Sequence, residues 1–395
     1  MNISEPRQQA TEAPLWRLAF RGGFLFASVF AVIAMVRWLG WMVYPSWWNT
    51  DIPPHWWHAH EMIFGFAMPV VAGFLLSAVA NWTGLPGTRG TPLKILFGLW
   101  LLARVTLVLL PQWLMVAWVA EMLFIAVLAR ELGMRVWQKR QWRNMLFLPV
   151  LIALASLSTA SYSTVDSPLA STRLHYGALW MIVVLVVIIG GRVIPMFTGN
   201  RLGIKISPLP AWFEYTAIAS TAVVAIAAAT VPHTYTGNAL PILYGLCSAL
   251  HFYRLAHWRG WLTRSVPLLW SMHLSYLAIP VTLGVLALSG GDPVSSKNLM
   301  HLLGIGTVGG MIISMMSRVS LGHTGRTLDT PAGIAAAFAL VLLAALLRAL
   351  LPQFYPELTM MAWRGSALLW IVAFAIFVYR YYPILTGPRA DGKPG

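Results

Sequence analysis

Long hydrophobic runs constrain this chain more than any other feature of its sequence. A helix needs about 20 apolar residues to cross the hydrocarbon core of a bilayer, and runs of that length follow one another with short connections. The pattern predicts an all-α integral membrane protein with about twelve transmembrane helices in one polytopic domain over residues 1–395. Residues 1–14 and 381–395 are its predicted tails. The predicted spans are 15–38, 58–81, 92–110, 112–130, 144–163, 174–198, 211–231, 239–257, 265–288, 297–319, 331–350 and 357–380.

The charged residues are few and unevenly placed. Only 10% of the residues are charged, whereas a soluble domain carries about 25%. The surplus of 27 Lys and Arg over 12 Asp and Glu could indicate nucleic acid, but these residues collect in alternate connections, as in cytoplasmic loops. We therefore predict no nucleic-acid partner and both termini in the cytoplasm, with Arg173 and Lys297 as the main exceptions. The predicted inside positions are Arg89, Lys94, Arg130, Arg135, Lys139, Arg140, Arg143, Arg201, Lys205, Arg254, Arg259, Arg264, Arg326, Arg380, Arg389 and Lys393.

Two further features limit the chemistry. The single cysteine, Cys247, excludes a disulfide within the chain and a cysteine-based metal cluster. The sequence has no Cys-x-x-Cys-His motif, so any haem should be bound without a covalent link. Met1 to Pro14 lacks the basic start and apolar core of a signal peptide, so the first hydrophobic run should remain as a helix.

Three spans share a sequence frame: each contains a His, and the residue 24 positions after that His is the glycine of a Thr-Gly pair. A helix of that length rises roughly 36 Å, which is about one bilayer. The three spans are the second, sixth and tenth, so the period is four helices, and the repeat predicts three four-helix units around a pseudo-threefold axis. The pairs are His60 with Gly84, His175 with Gly199, and His301 with Gly325.

Histidines at the ends of these spans are the main candidates for a site. Ionisable residues in a bilayer are costly and often functional, and imidazole is a common ligand of haem iron and copper. His58, His60, His175 and His301 lie at similar predicted depth and could hold both, although a purely structural role is the alternative. His58 and His60 should point about 200° apart on a helix, so they should not bind one metal as a pair. Glu61 could orient a ligand histidine.

Other polar residues have a more structural interpretation. Arg104 and Glu121 are the mid-span charges of adjacent antiparallel helices, so we predict an ion pair between them. Four further histidines, His55, His233, His257 and His323, should lie in loops or at the membrane interface.

Three segments closely resemble the NnrS family: HAHEMIFGFA at 58–67, GGRVIPMFTGNR at 190–201 and HLLGIGTVGGMIISMMSRVSLGHTGR at 301–326. The resemblance implies a membrane protein that binds haem and copper and belongs to the bacterial response to nitric oxide and nitrosative stress. It also implies the bacterial inner membrane as location, and nitric oxide or a related small molecule as partner beside the lipid bilayer. The metal-binding residues that it implies are His58, His60, His175, His273 and His301.

The chain is also similar, more loosely, to haem-copper oxidases, which place ligand histidines on the second, sixth and tenth of twelve helices. That likeness implies a haem b between His60 and His301, with His58 nearby, and copper near His175. The chain departs from the oxidase pattern, because its seventh span has no His pair and Leu179 stands four residues after His175. These departures argue against oxygen reduction by the oxidase mechanism.

Two other hypotheses remain open from the sequence. Twelve spans also suit a transporter of a small metabolite or metal complex, although many transporters show an inverted repeat. A sensor or assembly factor without turnover is the third hypothesis. The sequence identifies no catalytic residue, and it leaves turnover, electron donor and oligomeric state open.

Overall fold

The structure is a computed structural model and is all-helical, with no strand in the residues it describes. It confirms the predicted all-α integral membrane class. Most of the predicted N-terminal tail, residues 1–11, and His233 lie outside the described part. The described ranges are 12–48, 50–232, 237–290 and 293–393, with backbone only for 293–295.

Each predicted span corresponds to a helix, and we number these helices α1 to α12. The helices α2 and α10 each contain a π-helical segment, at Glu61–Ala67 and Leu302–Gly309. The bounds are α1 Ala19–Val43, α2 Pro54–Thr83, α3 Thr91–Leu109, α4 Leu114–Gln138, α5 Phe147–Ser163, α6 Pro168–Leu202, α7 Ala211–Thr230, α8 Ala239–His257, α9 Pro267–Leu288, α10 293–323, α11 Ile334–Phe354 and α12 Thr359–Thr386.

Eleven helices in the described ranges are long and apolar enough to cross a membrane. The exception is α8, which the sequence predicted as a span. Its second half carries His251, Arg254 and His257, and these polar side chains lower its mean hydropathy. The number of helices that cross the bilayer, and with it the predicted orientation of the termini, stays a prediction.

Contacts within the chain divide it into two compact units. The first unit comprises Met1–Thr172, Met316–Asp329 and Phe374–Gly395, and its core is built from α1 to α5. The second unit comprises Arg173–Met315 and Thr330–Ala373, and contains α7, α8, α9 and α11 with most of α6. The single polytopic domain and the threefold arrangement of helices remain predictions.

The repeated His–Gly frame is only partly matched by the backbone. In α2 and α10 the histidine directly precedes the π-helical segment, and the glycine 24 residues later is left-handed, with φ +67° at Gly84 and +69° at Gly325. In α6 the helix is continuous through Gly199 to Leu202, and Gly203 has the positive φ instead. A left-handed glycine therefore stands at the position given by the frame in α2 and α10, and four residues later in α6.

Two glycines let α1 and α2 approach closely in the first unit. A Cβ atom on Gly23 would lie 2.5 Å from the carbonyl oxygen of Pro69 and 3.0 Å from the Cα atom of Gly73. Both neighbours are backbone atoms, which cannot rotate away. Small residues at this contact are therefore a requirement of the helix packing.

Replacing Gly23 with Ala should destabilise the protein by about 1–3 kcal/mol, because α1 must move away from α2. The measurement is the free energy of unfolding in mixed detergent micelles. Gly98→Ala is the matched control, since a Cβ atom on Gly98 meets nothing within 4 Å. The control should be neutral or stabilise by about 0.4–1 kcal/mol. Equal effects of the two substitutions would contradict this account.

Candidate functional site

A buried cluster of charged side chains lies in the first unit. His60 Nδ1 is 3.0 Å from Glu61 Oε1, and His60 Nε2 is 3.3 Å from Glu121 Oε1. The guanidinium of Arg104 lies 2.9 Å from Glu61 Oε1 and also donates a hydrogen bond to Glu121 Oε2. Ser158 Oγ donates to Glu121 Oε1 at 2.5 Å. The predicted pair of Arg104 and Glu121 is confirmed, and Glu61 and His60 extend it.

The charges of this cluster depend on one another. His60 and Glu61 are fully buried, and Arg104 and Glu121 are each 3% exposed. Buried charges are tolerated when they are paired and hydrogen-bonded. One guanidinium and two carboxylates leave one negative charge, which a protonated His60 would balance, because each of its ring nitrogens faces a carboxylate. The arrangement can therefore hold a proton between two acidic side chains.

Aromatic rings cover the faces of His60. Trp56 stacks on the imidazole with ring centres 4.6 Å apart, and Tyr162 approaches it edge-on at 4.9 Å. The indole of Trp56 is itself fixed by a hydrogen bond of 3.0 Å to the carbonyl of Ser161. A metal on His60 would have to take the place of a carboxylate at a ring nitrogen, so metal binding by His60 stays a prediction.

Gly65 allows the cluster to form, because it brings α1 and Arg104 close to the π-helical segment. A Cβ atom there would lie 2.3 Å from the Phe30 ring and 3.0 Å from Arg104 Nη1. The indole of Trp100 donates to the Gly65 carbonyl at 2.9 Å. The glycine thus allows these side chains to pack against the π-helical segment.

His58 has surroundings of its own in the first unit. Its ring stacks on Trp38, with centres 4.1 Å apart, and it is only half-buried. His60 instead stacks on Trp56. The two histidines thus stack on different tryptophans, and the difference in their directions stays a prediction.

His301, in the second unit, is oriented by two hydrogen bonds. Its Nδ1 donates to the carbonyl of Lys297 at 2.9 Å, and its Nε2 accepts from Arg348 Nη2 at 3.4 Å. Because a guanidinium can only donate, these bonds fix the tautomer with the proton on Nδ1. Histidines that bind metals usually donate their other N–H to a carbonyl or carboxylate in this way. His301 is oriented in this way, with Arg348 at its Nε2 atom, and metal binding by His301 stays a prediction.

His175 lies in the same unit as His301 and is 3% exposed. Their helices meet one turn further along, where a Cβ atom on Gly304 would lie 3.9 Å from the side chain of Leu179. The structure therefore brings the surroundings of His175 and His301 together within one unit.

His273, also in the second unit, is 5% exposed. Its Nε2 lies 3.0 Å from the hydroxyl of Thr198. Its Nδ1 faces Gly260, where a Cβ atom would approach to 2.6 Å, and has no hydrogen-bond partner among the described residues. Neither ring nitrogen of His273 contacts another candidate ligand in the part of the chain that the structure describes.

A second buried network was missed by the sequence analysis. Arg254, predicted in a cytoplasmic loop, is instead fully buried on α8. It pairs with Glu214 and donates to the carbonyl of Val187 at 3.0 Å and to the hydroxyl of Tyr276 at 2.8 Å. His251 lies 2.8 Å from the same hydroxyl. The available signal was the position of Arg254 inside a predicted span.

Within the described ranges, no group of three or more His, Cys, Asp or Glu side chains is arranged to hold a metal ion. Haem iron needs fewer protein ligands, because one or two histidines are enough. The binding of haem and of copper stays a prediction.

Comparison with known proteins agrees with the motifs. A family described as NnrS protein matches residues 14–389, which is nearly the whole chain. The search for similar curated proteins finds no match. With its apolar helices and this match over almost its full length, the chain is an integral membrane protein that belongs to the NnrS family.

Proposed function

We propose that this protein binds haem b and copper in the bacterial inner membrane, with both termini in the cytoplasm, and acts in the response to nitric oxide. Membership of the NnrS family and the apolar helices support the proposal. A bound haem iron would supply a coordination position for nitric oxide. His301 would hold the iron through its Nε2 atom.

The observation that carries the proposal is the orientation of His301. Its Nδ1–H is held by the carbonyl of Lys297, which leaves the Nε2 lone pair for an acceptor role. In the structure that lone pair accepts from Arg348. Iron binding would therefore require Arg348 to turn to another acceptor. His175, on the neighbouring helix, is the candidate copper ligand.

We expect detergent-purified wild-type protein to show a Soret band and a haem b signal in a pyridine haemochrome assay, and His301→Ala to lose both. His257→Ala is the matched control, because His257 is partly exposed and donates to the carbonyl of Ser207 at 2.7 Å. It should retain the spectrum of the wild type. Addition of nitric oxide to the reduced protein should then shift the band of the wild type and of the control.

Metal analysis of the same samples separates haem from copper. His175→Ala should retain iron and lose copper, whereas His301→Ala should lose iron. A wild-type protein that is colourless and free of metal after expression with haem precursor and copper would contradict the proposal. Flux of a small metabolite in liposomes made from that colourless protein would favour the transporter hypothesis.

A further inference from the structure

Two cations of the second unit share one aromatic ring. The guanidinium of Arg348 lies 4.4 Å from the centre of the Trp363 ring, and the ammonium of Lys297 lies 5.1 Å from it. Arg348 is 5% exposed, and Lys297 is exposed. Lys297 is also one of the two main exceptions to the predicted alternation of basic residues. A buried guanidinium with a second cation at the same ring is expected to have polar or negatively charged partners.

No carboxylate compensates these cations in the described part of the second unit. Glu214 pairs with Arg254, and Glu357 is exposed and forms no ion pair with Arg348. The remaining acidic residue of the unit, Asp292, lies outside the described residues. The contacts of Arg348 are instead neutral, because it donates to Asn298 Oδ1 at 3.2 Å and to His301 Nε2.

Several donors at this position remain available. Arg348 has five N–H donors, and its two hydrogen bonds use only two of them. The indole N–H of Trp363 is buried and has no acceptor among the described residues. A buried donor without an acceptor is unfavourable. The cluster is therefore rich in donors and positive charge, and short of acceptors.

We propose that Arg348, Lys297 and Trp363 form a binding site for a small oxyanion, with two or three oxygen atoms on one centre, as in nitrite, nitrate or formate. The planar fork of a guanidinium matches two such oxygens, and the ammonium adds a point charge. The burial of Arg348 favours a small free anion over a lipid phosphate. The site does not depend on bound haem, so it goes beyond the function proposed above.

The test is isothermal titration of sodium nitrite and sodium formate into the delipidated full-length protein in detergent, at constant ionic strength and in a buffer without carboxylate or phosphate. We expect saturable binding at one site. Arg348→Gln should weaken it on the order of 30-fold or more, and Trp363→Phe about tenfold. Lys297→Gln should weaken it about two- to fivefold. Arg264→Gln, which removes an exposed charge elsewhere in the unit, is the control and should bind as the wild type does.

If Arg348→Gln does not fold, Lys297→Gln and Trp363→Phe still test the proposal. Both should fold, because Lys297 is exposed and Trp363→Phe keeps an aromatic ring. Unchanged affinity in Lys297→Gln and Trp363→Phe, or equal heats for chloride and nitrite, would overturn the site. If phosphatidylglycerol competes with nitrite, the oxyanion that this site binds is the phosphate of a lipid headgroup. Binding of nitrite that is insensitive to phosphatidylglycerol would support a free anion.

Discussion

Arg104→Gln should lower the free energy of unfolding by about 3–5 kcal/mol, the largest effect that we expect from a single substitution. Arg104 is the only guanidinium within ion-pair distance of Glu61 and Glu121 in the described residues, and all three side chains are almost completely buried. Without it, two carboxylates would remain close together with only His60 to balance them. An uncompensated charge in such surroundings costs far more than the pair contributes when intact.

Unfolding in mixed detergent micelles measures this effect. Lys139→Gln is the matched control, because it removes an exposed positive charge from the same unit and should change stability by about 0.5 kcal/mol or less. The double variant Arg104→Gln with Glu121→Gln should recover part of the loss, since His60 then faces one carboxylate. A loss below about 1 kcal/mol in Arg104→Gln would mean that the cluster is not paired as described.

Arg254→Gln should be the second most destabilising substitution, with a loss of about 2–3 kcal/mol. It removes the partner of Glu214 and donors to the Val187 carbonyl and the Tyr276 hydroxyl. We expect a smaller effect than for Arg104 because the Glu214 side chain is 26% exposed. Water can therefore solvate the carboxylate that is left behind.

The same unfolding measurement ranks the two arginines. Arg264→Gln, at an exposed position of the second unit, serves as control and should be close to neutral. If Arg254→Gln lowers the free energy of unfolding more than Arg104→Gln does, solvent exposure of the remaining carboxylate does not determine which substitution is more destabilising. The single variant Glu214→Gln, measured in parallel, would then show how much of the lost free energy of unfolding comes from the carboxylate.

The helices were predictable because bilayer thickness sets the length of an apolar run. Even the pair of Arg104 and Glu121 followed from the sequence, since two opposite charges at mid-span on adjacent helices have few other partners. Arg254 was assigned wrongly because α8 ends in basic residues, and the alternation of charge does not distinguish a loop arginine from a buried one. Its partner Glu214 is 40 residues away, so only tertiary packing reveals the contact.

The candidate site was predictable in its residue types and less so in its surroundings. Of the predicted metal-binding histidines, His60, His175 and His273 are buried, whereas His58 and His301 are half-buried. The carboxylates facing both nitrogens of His60 did not follow from hydropathy, although Glu61 was an expected neighbour. Arg348 was overlooked because it lies near the end of a strongly apolar helix, where a single charge resembles an interfacial anchor.

The π-helical segments at Glu61–Ala67 and Leu302–Gly309 have a consequence for comparing sequences. Such a segment arises by inserting a residue into an α-helix, so the side chains beyond it are rotated by about 100° relative to those before it. A helical wheel drawn through the whole of α2 or α10 therefore assigns the wrong face to every residue beyond the segment. Related chains could be one residue longer or shorter at either segment, while their helices begin and end at equivalent positions. A gap placed by sequence alignment alone would easily miss this shift, and would then pair His60 or His301 with a residue on another face.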